Sequence, residues 1–137
     1  MNLKKFLVSG ILAGIMIEVL SLIISTATQS IWGYNVLALG GMRAVTDPIM
    51  ALFFVYPFVL GFAMACVYPN IEKEFKGNYV EKGKNLGWMT WILAGLPSAF
   101  LVWSSMNYPI GFTINSLIGS LIYMLAAGVT VAWAYKK

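Results

Sequence analysis

Apolar residues run along this chain in four long blocks, with the charged residues almost entirely outside them. The blocks cover about residues 6–26, 48–68, 86–105 and 114–135. Each has about the 20 residues needed to cross a hydrocarbon core roughly 30 Å thick. Lipid offers backbone groups no hydrogen-bonding partner, so open segments of this length must be helices. The pattern predicts an all-α integral membrane protein: a four-transmembrane-helix bundle forming a single domain over 1–137.

Composition strengthens this reading. The chain is 60% hydrophobic and 10% charged, against roughly 25% charged in a soluble domain, and its mean hydropathy is +0.80. Lys4 and Lys5 precede the first block, as in a secretory signal. That block is longer than the usual signal core of about 7–15 residues, so a retained helix is expected.

Charge sets the expected orientation. With four crossings, Lys4, Lys5, Lys73, Lys76, Lys82, Lys84, Lys136 and Lys137 fall on one side and Arg43 on the other. The positive-inside rule then predicts a multi-pass protein of the cell membrane with both termini cytoplasmic. Aromatic residues suggest two belts. Phe6, Tyr68, Trp88, Trp91, Trp133 and Tyr135 fall near the inner boundary, and Trp32, Tyr34, Trp103 and Tyr108 near the outer one. The net charge of +4 fits attraction to anionic inner-leaflet lipid rather than nucleic acid. Residues 69–85, where Glu72, Glu74 and Glu81 alternate with lysines, read as a solvated loop. Cys66 is the one cysteine and reads as a small core residue.

The first connection, "ATQSIWGYNVLALGGMRAVTD", is long and apolar. A short interfacial or re-entrant segment over "IWGYNVLAL" is expected there. Thr46 or Asp47 can cap a helix that begins at Pro48, and Arg43 and Asp47, four residues apart, can form an outer-side ion pair. Small-xxx-small pairs mark helix-packing faces at Gly10/Gly14, Gly61/Ala65, Gly95/Ala99, Gly128/Ala132 and Ser116/Ser120. Pro57 and Pro97 predict kinks that free the carbonyls of Phe53 and Leu93.

The residue that carries candidate chemistry is Glu18, in "GILAGIMIEVLS". Gly10, Gly14 and Glu18 are successive i,i+4 positions, so the acid shares the small-residue face and points into the bundle. Counted from the inner ends, Glu18, Tyr56, Ser98 and Tyr123 each stand twelve residues in, roughly 18 Å deep. They predict a polar layer at which Glu18 is a proton or cation site. Two other readings stay open: a protonated structural lock, or an acid paired with a cation such as Arg43 or one on another subunit.

The chain has no histidine, one cysteine and one aspartate, which excludes histidine-based metal or haem sites and nucleophilic triads. No metal, no cofactor and no enzymatic activity are expected. "GIMIEV" in the first helix and "LAAGV" in the last resemble the small multidrug resistance transporters, proton-coupled antiporters built from four short helices with an acid in the first. The resemblance covers about thirty residues. The third helix, "WMTWILAGLPSAFLVW", lacks that family's glycine-rich signature, and the long first connection is foreign to it.

The leading expectation is a small transport or permeation protein, homo-oligomeric, with Glu18 as its intramembrane site. The alternative is a structural or accessory subunit of a larger membrane complex. The expected partners are membrane lipid, further copies or other membrane subunits, and no nucleic acid.

Overall fold

The computed structural model describes residues 2–41 and 43–136; Lys137, counted above among the lysines, lies outside the described residues. It is all-helical, with no strand among the described residues. The long helices are α1 (Leu3–Trp32), α2 (Tyr56–Ile71), α3 (Tyr79–Ser105) and α4 (Ile110–Lys136). Among the described residues α1, α3 and α4 are long and apolar enough to cross a membrane. A fourth span results if α2 is joined to the 3₁₀ segment Pro48–Phe54, from which it bends by 41°.

α1 extends six residues beyond the expected end at Thr26. The hydroxyls of Thr26 and Thr28 turn back onto the helix, donating to the Leu22 carbonyl at 2.8 Å and the Ile24 carbonyl at 3.0 Å. Hydroxyls satisfied in this way do not compete with the helix. Gly33, in the left-handed region at φ 62°, ends it by donating its amide to the Gln29 carbonyl. The segment expected over "IWGYNVLAL" is therefore divided. Ile31 and Trp32 complete α1, and only Val36–Ala38 forms a single 3₁₀ turn.

At Pro48 the chain re-enters regular structure, with Asp47 accepting from the Ile49 amide at 2.9 Å. The bend into α2 falls at Val55–Pro57, where proline has no amide to continue the ladder.

The loop expected over 69–85 is much shorter. α2 runs to Ile71, and α3 begins at Tyr79 behind a capping box. The Asn78 side chain accepts from the Val80 and Glu81 amides at 2.9 and 3.1 Å, and Glu81 accepts from the Asn78 amide at 2.8 Å. Lys82 and Lys84 thus lie on helix rather than in a loop. Hydropathy alone hides this, because the first turns of α3 are polar on one side and bury Gly83, Leu86 and Gly87 on the other.

α2 packs on α1, α1 on α4, and α4 on α3, with a smaller contact between α2 and α4. Two of these three large crossings, α1 on α2 and α3 on α4, rest on glycine. A Cβ on Gly61 would stand 2.6 Å from the Gly10 carbonyl oxygen and 2.7 Å from the Gly14 amide nitrogen. Gly128 meets the backbone of Gly83 and Gly87 as closely. Lipid tails are as apolar as leucine, so this contact gains from dispersion and shape rather than from a hydrophobic force.

The core comprises Ile17, Met64, Tyr68, Leu86, Met124 and Val131, each at most 2% exposed. It lies toward one end of the bundle. Tyr135 donates there to the Ala65 carbonyl at 2.8 Å, Lys5 to the Tyr135 carbonyl at 2.7 Å, and Lys136 sits 4.9 Å over the Tyr79 ring. Toward the other end Leu93, Phe100, Leu101 and Trp103 are exposed. Cys66 is exposed as well, not part of the core.

Candidate functional site

α1 and α2 cross where Gly14 meets Phe58. Glu18 lies one helical turn beyond that contact and Tyr56 two residues beyond it, so the two sit within a few ångströms in depth. On the α4 side, Ile24 meets Gly119. Glu18 and Tyr123 lie six and four residues back from that pair, again at similar depth. Tyr56 is exposed, whereas Glu18 and Tyr123 are half-buried.

Ser98 stands apart from these three. Gly87 of α3 packs against Met124 and Leu125, next to Tyr123. Ser98 is eleven residues further along α3, about 16 Å beyond that level, and it is exposed. The count from Leu86 misplaces it because α3 starts seven residues earlier, at Tyr79. Twelve residues into the real helix is Trp91.

Glu18 makes no side-chain hydrogen bond among the described residues; only its backbone carbonyl is engaged, accepting from the Ser21 hydroxyl at 3.0 Å. The carboxyl is neither clamped by a tyrosine nor turned onto a carbonyl. The hollow lined by Leu22, Ile23, Thr26, Ala27 and Ser30 does not include it, nor does the groove lined by residues of α1, α3 and α4.

Trp91 builds a polar junction that the sequence reading placed at the membrane boundary. Its indole N–H donates to the Leu117 carbonyl at 2.9 Å and to the Ser120 hydroxyl at 3.0 Å. Both partners lie at wide turns: Trp91–Gly95 in α3 and Asn115–Gly119 in α4 are π-helical. A π turn carries an extra residue and leaves backbone groups open to other partners. The α3 turn ends directly before Leu96 and Pro97, so the proline is accommodated by a local change in winding. Gly95 adjoins the Trp91 ring and Ser120, which gives the indole its room. Asn115, Ser116 and Ser120 clustered in one turn, across from a tryptophan, were the available sequence signal.

Near the opposite end, Arg43 donates to Asp47 at 2.8 Å, far in sequence and depth from Glu18. The guanidinium, and then the Ile49 amide, hold the Asp47 carboxyl below its usual range. Tyr108 donates to the Gly40 carbonyl at 2.7 Å and packs edge-on against Phe112, tying the first connection to the start of α4. Among the described residues no three histidine, cysteine, aspartate or glutamate side chains converge. Compared with protein-family models, curated proteins and solved structures, the chain matches none.

Proposed function

We propose that the chain is a multi-pass protein of the cell membrane, crossing it four times with both termini cytoplasmic, and that it serves transport or permeation through Glu18. The lysines described at the Tyr68–Tyr135 end, against Arg43 at the other, support the orientation. The observation that carries the functional reading is the state of Glu18: half-buried at the level of Tyr56 and Tyr123, with no side-chain hydrogen bond among the described residues.

A lock would direct its proton to a fixed acceptor. A free carboxyl, held between apolar helices, can take up and release a proton or bind a cation. An isolated ionised acid at this depth costs about 2.5–3.5 kcal/mol on insertion scales, so charge and occupancy are coupled. Glu18 is only half-buried within one chain, which leaves room for a second copy to complete the site, and the working unit proposed is a homo-oligomer.

Proton and monovalent-cation flux into proteoliposomes tests this. Glu18→Gln should abolish gradient-driven flux while circular dichroism and extraction behaviour stay unchanged, and Glu18→Asp should retain part of it. A parent protein that passes neither protons nor any tested cation overturns the proposal.

The alternative, a structural or accessory subunit, draws support from the apolar walls of these two surface hollows. It predicts co-purification of unrelated membrane subunits in mild detergent, and a homogeneous homo-oligomer would count against it.

A further inference from the structure

A groove of about 470 Å³ runs between α1 and α4 and ends at the start of α3. On α1 it uses Leu12, Ile15, Met16 and Val19, a stripe distinct from the Gly10–Gly14 stripe that meets α2. Its other wall is Val129, Thr130 and Trp133, with Tyr79 at one end. The Thr130 hydroxyl donates to its own helix, at the Ala126 carbonyl, so that wall is apolar in character.

The Tyr79 end carries Lys5 and Lys136, with Glu72 at the end of α2 and Glu81 at the start of α3 as the acids of that end. Lys136 lies over the Tyr79 ring. Lys5 precedes Leu12 by seven residues, which places it on the groove's own stripe of α1. Its ammonium donates to the carbonyl of Tyr135, the residue before Lys136. Glu81, in the first turn of α3, is turned onto the Asn78 amide.

An aliphatic slot with an aromatic and lysine-bearing rim has the chemistry of an anionic phospholipid: an acyl chain along Leu12–Val19 and a phosphate at Lys5 and Lys136. We propose that this groove is a binding site for an anionic phospholipid of the leaflet on the lysine side. The proposal rests on the membrane-spanning reading above. A zwitterionic lipid fills the slot equally well but brings its own ammonium toward the same lysines. The selectivity therefore comes from the rim and the affinity from the slot. A lysine near an anionic headgroup is worth about fivefold in affinity.

The test is native mass spectrometry of the purified full chain, released from micelles holding equimolar phosphatidylglycerol and phosphatidylcholine. Phosphatidylglycerol should be the retained lipid, and Lys136→Gln should lower its retention about fivefold. Lys73→Gln, in the connection after α2, should leave retention unchanged. Ile15→Trp, which fills the slot from a lipid-facing position, should lower retention of both lipids with helicity intact. Equal retention of the two lipids overturns the proposal, as do equal losses in the two lysine variants or an Ile15→Trp protein that binds as the parent does. Alkaline carbonate washing of the source membranes reports separately on the spanning reading: a chain released there refutes the membrane topology itself.

Discussion

Replacing Gly61 with alanine tests the tightest part of the fold. The new methyl would sit 2.6 Å from the Gly10 carbonyl oxygen, 2.7 Å from the Gly14 amide nitrogen and 3.2 Å from the Gly14 Cα. Optimal carbon contacts lie near 3.5–4.0 Å, so α2 must retreat from α1 by about 1 Å. The obstructing atoms are backbone, and no rotamer change can relieve the clash. Overpacking of this kind costs about 1–3 kcal/mol. Alanine's better helix propensity returns up to about 1 kcal/mol.

The net expectation is a loss of roughly 1–2 kcal/mol, a factor of about 5–30 in the folded-to-unfolded ratio. Reversible unfolding in mixed micelles, read by near-UV circular dichroism, measures it. Gly40→Ala is the control, since a Cβ there meets nothing within 4 Å, and it should leave stability unchanged. A Gly61→Ala protein as stable as its parent would show that α1 and α2 do not approach through these glycines.

Trp91→Phe keeps most of the ring but removes the indole donor to Leu117 and Ser120. The Leu117 carbonyl still accepts from the Ser120 hydroxyl at 3.1 Å, so the expected cost is about 0.5–1.5 kcal/mol. In the same unfolding assay, no change would show that the two wide turns are not joined there. Arg43→Gln should raise the Asp47 titration midpoint toward the ordinary value of 3.8, as followed by carboxyl NMR. Asp47 is depressed in the folded chain, so the pair's contribution is present above the unfolded-state midpoint and fades as pH falls through the folded one. An unmoved midpoint would contradict the ion pair. Asn78→Ala should expose amides at the start of α3 to faster hydrogen exchange over Tyr79–Glu81, whereas unaltered exchange would mean the capping box does not hold that end.

The all-helical character and the apolar segments were legible because hydropathy over about 20 residues is a strong signal. The glycines of the α1–α2 crossing stand out as spaced pairs on an apolar background. Those on α3 do not. Gly83 and Gly87 lie among Lys82, Lys84 and Asn85, where polarity reads as loop, although one face is buried. The cue was local: Asn78 followed three residues later by Glu81. Missing that start displaced depth along the third helix by seven residues, which put Ser98 at the level of Glu18 and left Trp91 at the boundary. Side-chain reach was not legible at all. Spacing put Glu18 on the small-residue face that points into the bundle, but did not tell that its carboxyl would be half-buried and without a side-chain hydrogen bond among the described residues.

The proposed function requires the Glu18 carboxyl to exchange its proton or bind a cation while the protein sits in a bilayer. Infrared difference spectroscopy of reconstituted protein, with the carboxyl band assigned by its loss in Glu18→Gln, measures this directly. The band should shift with bulk pH or added cation and exchange promptly in D₂O. A band that stays protonated and unexchanged from about pH 4 to about pH 9, as desolvation with a fixed partner would impose, would contradict it and leave Glu18 a structural lock.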